Sequence, residues 1–282
     1  MQKVINSLKH LVPARTRAAV QVAWYLLRTR PGRLWAVLAR VPVLYVHSAL
    51  ACMEDRGGSG NGWFKMRVRG LDVPVFLRRG TSDFEVFRQV FIDEQYRIDL
   101  PDPVEFIVDA GANIGRATVY FVNRFRSARV IAIEPDPENV AVARRNTAPY
   151  GDRCQVINAA LWSHDCSVSI DRAANGEYWA TRVCDRDEST AGVIAAKCVT
   201  ILMSEFAIAR IDLFKCDIEG AELQVFRHGD TSFLESTRCI AIECHGNECA
   251  DAVNLATRGF EMSSQGEVTV GVHEVPANHG AQ

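Results

Sequence analysis

The chain has 282 residues, 48% hydrophobic and 23% charged, with a formal net charge of −2 at pH 7. This composition is typical of a globular protein with a sizeable core and excludes a disordered chain. The charge is unevenly spread, because residues 1–53 contain eight Lys/Arg and no Asp or Glu, and the remainder is therefore acidic.

Residues 1–53 have the apolar spacing of helices, in two segments separated by Pro31-Gly32. The most apolar run, Val41 to Met53, is too short to cross a bilayer. Two interpretations stay open: a basic amphipathic region in peripheral contact with an anionic membrane, or a helical cap on the catalytic domain or on a second copy in a homo-oligomer. The basic residues are interleaved with a large apolar face, so we expect no nucleic-acid partner.

A flexible joint, Gly-Gly-Ser-Gly-Asn-Gly, occupies residues 57–62. It predicts a basic helical extension at 1–56, a linker at 57–62 and the main domain at 63–282. Nine cysteines without a Cys-x-x-Cys pair, and no cleavable signal pattern, favour a cytoplasmic protein with reduced thiols. Cys244, His245 and Cys249 lack a second ligand pair, so a zinc site is not favoured.

After the linker, alternation predicts two strands, 63–68 and 73–78, around a turn at 70–72. Thr81-Ser82-Asp83 offers caps for a helix whose apolar face contains Phe84, Phe87 and Phe91. The segment therefore predicts a small hairpin followed by a helix.

From residue 105 strands alternate with helices, which predicts a parallel sheet covered on both faces. The predicted strands are 105–109, 129–134, 154–159, 211–217 and 238–243, and the predicted helices are 115–126, 137–147 and 219–228. Residues 163–210 interrupt this pattern with strand-like pieces at 167–170 and 178–183 and a helical stretch at 202–209. Strand-prone residues 268–272 suit an antiparallel edge hairpin.

A glycine turn joins the first of these strands to its helix. Asp109 ends the strand, Gly111 and Gly115 follow, and Asn113 stands where a dinucleotide-binding fingerprint has its middle glycine. Such a turn brings backbone N–H groups and a helix N-terminus close to a ligand. The next strand ends at Glu134, whose carboxylate could accept hydrogen bonds from both hydroxyls of a ribose. The pattern predicts a nucleoside cofactor.

Polar side chains also end the fourth and fifth strands. Lys215 and Asp217 are two residues apart, as are Glu243 and His245, so each pair shares one side of its strand end. His245 is the first candidate for a general base, because imidazole titrates near neutral pH, and Asp217 is the second.

Other roles stay open for these residues. Lys215 and Asp217 could form a structural ion pair, and Glu219 and Glu222 could merely favour a helix N-terminus. A divalent metal bound by Asp217, Glu243 and His245 suits the ligand types but is not favoured over metal-free proton transfer.

These blocks, in this order, resemble the FkbM family of S-adenosylmethionine (SAM) methyltransferases over roughly Val73 to Glu261. The most specific block is Lys-Cys-Asp-Ile-Glu-Gly-Ala-Glu at 215–222, in which Cys216 replaces the usual aliphatic residue. The other blocks are Arg79-Gly80-Thr81-Ser82-Asp83 leading to Tyr96, Val108 to Gly115, Glu134-Pro135, Asn158 to Leu161, and Glu243-Cys244-His245. Residues 1–62 have no counterpart in the family.

The resemblance implies a Rossmann-like class I methyltransferase fold, a SAM-binding core at about 105–245, and O-methylation of a small or lipid-linked glycan, polyketide or other secondary metabolite. The implied catalytic residues are His245, Asp217, Lys215 and Glu243. The implied cofactor-binding residues are Asp109, Ala110, Gly111, Ala112, Asn113, Gly115, Glu134, Pro135, Asn158 and Ala159. Asp109 would face the SAM ammonium through its backbone or a water, and Asn158 could instead cap the turn after its strand.

Two other functions are weighed against methyl transfer. A methyltransferase-like scaffold without activity could dock partners through the basic N-terminal region. A nicotinamide-dependent oxidoreductase could use a similar sheet, but the missing middle glycine disfavours it.

Overall fold

The structure is a computed structural model that describes residues 62–172, 181–185 and 193–273, with 170–172 and 181–185 described by backbone alone. The predicted N-terminal helices, linker residues 57–61 and part of the strand predicted at 178–183 lie outside the described residues. The chain divides between Glu94 and Gln95 into two compact units. In the part of the chain that the structure describes, no helix is long and apolar enough to cross a membrane.

The first unit contains the predicted hairpin and helix. Strands β1 (Trp63–Met66) and β2 (Val75–Arg78) pair antiparallel, and helix α1 spans Asp83–Phe91. The side chain of Ser82, predicted as a cap, makes no capping hydrogen bond, and Thr81 Oγ1 instead accepts from the Asp83 N–H at 3.2 Å.

The second unit is an α/β structure with two sheets. Its helices are α2 (Arg116–Arg124), α3 (Pro137–Thr147), α4 (Val199–Glu205) and α5 (Asn247–Ala256). Its strands are β3 (Phe106–Ala110), β4 (Arg129–Glu134), β5 (Cys154–Asn158), β6 (Ala160–Leu161), β7 (Cys166–Arg172), β8 (Thr181–Asp185), β9 (Val193–Lys197), β10 (Leu213–Cys216), β11 (Cys239–Glu243), β12 (Glu261–Gln265) and β13 (Val268–Val272).

The large sheet has the strand order β12-β13-β11-β10-β3-β4-β5. Its five central strands are parallel, and β13 runs antiparallel to both β11 and β12. This confirms the predicted Rossmann-like sheet with an antiparallel C-terminal edge. All parallel strand ends that carry predicted site residues therefore meet at one edge of the sheet.

The interruption at 163–210 forms the small sheet, with the order β6-β9-β7-β8. Strand β9 was not predicted, and α4 occupies 199–205 rather than the predicted 202–209. The helix ends early because Ala207 has a φ of +51°, which a right-handed helix does not accommodate.

The predicted start of the helix at 219–228 is also wrong. Glu219 and Gly220 have φ values of +55° and +100°, so the helical turn begins only at Glu222. The segment Gln224–His228 is π-helical. Such local distortions are frequent at functional sites.

The core of the large sheet is closed by aromatic packing beneath this turn. The ring of Phe214 lies 5.1 Å from that of Phe233 and 6.4 Å from that of Phe226. All three side chains are buried with apolar residues of β3, β4 and β11. The rigid sheet therefore fixes where its strand ends lie.

Candidate active site

The glycine turn after β3 is tightly packed between its neighbours. Gly111 has a φ of +75°, and a Cβ at this position would lie 1.7 Å from the backbone oxygen of Asp217. The N–H groups of Gly111 and Ala112 each donate to the Ile133 carbonyl oxygen at 3.0 Å. At the other end of the turn, a Cβ on Gly115 would lie 3.2 Å from Ala143 Cα. Only glycine fits at 111, which explains one feature of the sequence pattern.

Glu134 lies against this turn from the end of β4. Its Oε2 accepts the Asn113 N–H at 2.8 Å, and its Oε1 accepts from the Asp136 N–H at 3.0 Å and from Asn139 Nδ2 at 3.2 Å. The residue is 4% exposed, and burial raises the pKa of its carboxyl to about 7. The acidic group is thus held at the turn, beside Pro135, which is half-buried.

Asp109 faces into the protein. Its carboxylate accepts from Thr118 Oγ1 at 2.5 Å and lies 3.3 Å from Lys215 Nζ. Lys215 also donates to the carbonyl oxygens of Ala110 at 3.1 Å and Gly111 at 2.7 Å. Burial alone would lower the pKa of Lys215, but the combined effect of Asp109, Tyr96 and Asp217 outweighs it and raises that pKa. Lys215 therefore stays cationic and stabilises the turn, and the fully buried Asp109 carboxylate is engaged by Thr118 and Lys215.

Asn158 and Ala159 close the turn after β5. Asn158 Nδ2 donates to the carbonyl oxygens of Glu134 at 3.1 Å and Pro135 at 2.7 Å, which is the capping arrangement left open above. Ala159 is 1% exposed and belongs to the core, so its methyl group cannot border an adenine.

A second group of polar side chains lies at the ends of β10 and β11. His245 Nε2 is 3.8 Å from Asp217 Oδ1 and 3.5 Å from Glu219 Oε2. Asp217, Glu243 and His245 each offer a metal-ligating atom, and these atoms lie within 4.8 Å of one another. Gln95 Nε2 donates to Glu243 Oε2 at 3.4 Å. We call Asp217, Glu219, Glu243 and His245 the strand-end cluster.

Glu222 holds one member of this cluster, His245, in place. The residue is fully buried, its Oε1 accepts the Ile218 N–H at 3.0 Å, and its Oε2 accepts the Gly220 N–H at 2.9 Å. Its Oε1 also lies 3.0 Å from His245 Nδ1. The sequence suggested only that Glu222 favours a helix N-terminus, because its contact with His245, which follows the next strand, has no local signal.

Burial and the mutual interactions of the charged groups shift the pKa values of the whole cluster. The hydrogen bond that Glu222 accepts from Nδ1 raises the pKa of His245 to about 9, against the opposing effect of burial. Burial, reinforced by Asp217, raises the pKa values of Glu219 and Glu243 to about 7. Burial also raises the pKa of Asp217. Such concentrations of perturbed groups are typical of functional sites.

Two neighbours of the cluster were not among the predicted site residues. The Gln95 amide bonds Glu243, and the Tyr96 ring centroid lies 5.8 Å from Lys215 Nζ. Tyr96 is 4% exposed, and burial raises the pKa of its hydroxyl. Tyr96 was noted in the sequence only as part of a family block.

Comparisons with known proteins identify similar methyltransferases. The methyltransferase FkbM domain matches residues 109–262. Methyltransferase sdnD of Sordaria araneosa is 27% identical over 190 residues, covering 56% of this chain and 73% of its own. Methyltransferase 1 of Beauveria bassiana is 25% identical over 202 residues, covering 64% and 79%. Among solved structures, TrmN from Thermus thermophilus is similar with a TM-score of 0.39 and 12% identity, covering 71% of this chain and 55% of that one.

The family match spans more than half of the chain and contains both the glycine turn and the strand-end cluster. It favours methyl transfer over the nicotinamide-dependent alternative. The chain therefore belongs to the FkbM methyltransferase family and has the Rossmann-like fold predicted for it.

Proposed function

We propose that this methyltransferase uses SAM and transfers the methyl group to a hydroxyl oxygen. The acceptor is a small or lipid-linked molecule, such as a glycan or a secondary metabolite. In this proposal the glycine turn and Glu134 hold the cofactor, and the strand-end cluster receives the acceptor hydroxyl.

The observation that carries the proposal is the direct contact between these two parts. Lys215 Nζ donates to Gly111 O at 2.7 Å, and the Gly111 α-carbon faces the backbone oxygen of Asp217. A cofactor bound along the turn would place its methyl group next to the cluster. Methyl transfer requires the acceptor oxygen, the methyl carbon and the sulfur to lie in line, so adjacency of the two sites is the main catalytic requirement.

The cofactor side follows from the hydrogen-bonding groups present. The turn 109–115 would border the methionine part of SAM through its backbone. Glu134 would accept from a ribose hydroxyl with the remaining lone pair of Oε2, since each carboxylate oxygen can accept two hydrogen bonds and Oε2 accepts only one within the protein. The turn around Asn158 would border the adenine.

The reaction needs one proton acceptor besides the two substrates. The acceptor oxygen forms a bond to the methyl carbon, the carbon–sulfur bond breaks, and the sulfur keeps the electron pair to give neutral S-adenosylhomocysteine (SAH). The hydroxyl proton leaves to a carboxylate oxygen of the strand-end cluster, because His245, with a pKa of about 9, already carries its proton at neutral pH. A group positioned in this way contributes roughly 10²–10⁴-fold to the rate.

Calorimetric titration of the full chain with SAH tests the cofactor assignment. We expect micromolar binding that weakens at least about tenfold in Glu134→Ala, because a charge-assisted hydrogen bond to the ribose is lost. Glu138→Ala, an exposed change in the first turn of α3, should bind as the wild type does.

A panel of hydroxylated and aminated acceptors with methyl-labelled SAM tests the oxygen assignment. Methyl ether products are expected, and label found only on nitrogen or carbon would contradict it. A well-folded wild-type protein that binds no SAH would instead support the inactive-scaffold alternative.

A further inference from the structure

We propose that Asp217, Glu243 and His245 bind one divalent cation, of the Mn²⁺ type, that holds the acceptor hydroxyl. This inference rests on the proposed function, since the cation would act on the acceptor of the same methyl transfer. It gives His245 the role of a metal ligand rather than that of a free general base.

The three ligands come from the ends of two neighbouring parallel strands. In the register of β10 and β11, Lys215 pairs with Ala241 and Cys216 with Ile242, so Asp217 and Glu243 follow at the same level. Their ligand atoms and that of His245 lie within 4.8 Å of one another. An ion at roughly 2.0–2.3 Å from each ligand needs ligand atoms about 2.8–4.6 Å apart, so small rotamer adjustments would bring the three side chains onto one ion.

The orientation of His245 supports a ligand role independently of the carboxylates. Glu222, which is fully buried and outside the proposed ligand set, holds Nδ1 at 3.0 Å. Nε2 is thereby aimed at the carboxylates of Asp217 and Glu219, but at 3.8 and 3.5 Å it is too far from them for good hydrogen bonds. A carboxylate that fixes one ring nitrogen while the other faces a cation is the usual support of a metal-binding histidine.

The charges of the region also favour a cation. Its acidic side chains are Asp217, Glu219, Glu222 and Glu243. The nearby Lys215 does not neutralise them well, because its Nζ is 3.8 Å from Asp217 but bonds two backbone carbonyls and Asp109 at shorter distances. A divalent ion bound by neutral His245 and the carboxylates would add positive charge to this acidic group.

The ligand set indicates the type of cation and its use. Carboxylates suit Mg²⁺ and Mn²⁺ and imidazole suits transition metals, and Mn²⁺ accepts both. A hydroxyl bound to a divalent cation loses its proton more readily, and the cation orients its oxygen. The released proton would pass to Glu219, whose carboxylate lies beside the ligands.

Metal binding can be measured without any acceptor. The full-length chain is treated with EDTA, dialysed and titrated with MnCl₂, and free Mn²⁺ is followed by electron paramagnetic resonance. We expect one Mn²⁺ per chain in the wild type. Glu243→Gln and His245→Gln should weaken binding at least tenfold, and Glu222→Gln about 10–100-fold because it frees the ring. Glu261→Gln, the same change at an exposed position of β12, should have no effect.

Two results would overturn the inference: no Mn²⁺ binding by folded wild type, or binding that Glu243→Gln and His245→Gln leave unchanged. Circular dichroism verifies folding, and Asp217→Asn provides a further ligand variant. SAH titrations of the same samples separate the two proposals. SAH binding without Mn²⁺ binding removes the metal site and leaves the proposed function, whereas Mn²⁺ binding without SAH binding does the reverse.

Discussion

Gly111 is the position in the site at which a larger side chain would be tolerated least. Its φ of +75° and the 1.7 Å approach of the Asp217 oxygen act together against any Cβ. We expect Gly111→Ala to lower the free energy of unfolding by more than about 3 kcal/mol, because left-handed strain alone costs about 1–2 kcal/mol and the overlap adds to it. Urea denaturation measures this loss.

Gly266 provides the matched control for that change. It also has a positive φ, +67°, but nothing lies within 4 Å of the place where a Cβ would be. Gly266→Ala should therefore cost only about 1 kcal/mol. Equal losses in the two variants would show that backbone strain, and not the close contact with Asp217, makes glycine necessary at 111.

Glu134 should make stability depend on pH. Burial raises the pKa of this carboxyl to about 7, above the ordinary value of 4.5. Between these two values the unfolded chain loses the proton while the folded chain keeps it, so stability falls as pH rises from about 4.5 to about 7. The loss attributable to Glu134 reaches about 3 kcal/mol, since each pKa unit corresponds to about 1.4 kcal/mol.

The measurement is the slope of unfolding free energy against pH in wild type and Glu134→Gln. Glu219 and Glu243 titrate in the same range, so only the difference between the two proteins is informative. The variant should lose stability less steeply between pH 5 and about pH 7.5. Parallel slopes would mean that Glu134 is ionised throughout in the folded protein.

At the scale of elements, Asp212 ties the central strands together at the end opposite to the site. Its Oδ2 accepts the N–H groups of Glu105 at 2.7 Å and Phe106 at 3.1 Å, and its Oδ1 lies 2.9 Å from Arg210 and 3.6 Å from Arg238. Asp212→Ala leaves these donors without their buried acceptor. We expect a loss of roughly 3 kcal/mol in unfolding free energy.

Because Asp212 precedes β10 and the cluster follows it, the SAH affinity of folded Asp212→Ala should stay within about twofold of wild type. Calorimetry at a temperature where the variant is folded measures this. A fall in affinity as large as that of Glu134→Ala would show that the two ends of the strands are coupled.

The sequence predicted the elements whose signals are local and repeated. The apolar runs of β3, β4 and β11 and the antiparallel edge at β13 were predicted close to their observed bounds. The helix predicted at 219–228 starts late because Glu219 adopts a positive φ, which residue type alone does not reveal. Strand β9 was missed because the residues of β6 and β7 with which it pairs are 24 or more positions away in sequence.

The sequence could predict which residues lie at the site, but not which side chains contact one another there. Parallel strand ends meet at one edge, so the sequence could group Lys215, Asp217, Glu243 and His245. It could not show that Lys215 turns towards Asp109 and the glycine turn. Those contacts depend on which way each side chain packs in the folded protein.

At the scale of the whole molecule, the chain divides into its two compact units between Glu94 and Gln95, whereas the sequence placed the main boundary at 57–62. The boundary at 57–62 stays a prediction, and so does the membrane-binding or capping role of residues 1–53. The residues proposed for cofactor and acceptor all lie in the second unit. Ligand binding should therefore be visible as stabilisation of that unit.

SAH should raise the free energy of unfolding of the full chain by about 2.7 kcal/mol at a hundredfold excess over its Kd, and by about 1.4 kcal/mol for each further tenfold. Thermal or urea unfolding followed by tryptophan fluorescence and circular dichroism measures this dependence. If the units unfold separately, only the transition of 95–273 should shift, because it contains the glycine turn and Glu134. NADH at the same concentrations should cause no shift, and Glu134→Ala should need at least about tenfold more SAH for the same effect. Stabilisation by NADH but not by SAH would contradict the cofactor assignment, because a ligand stabilises the folded state only if it binds to that state.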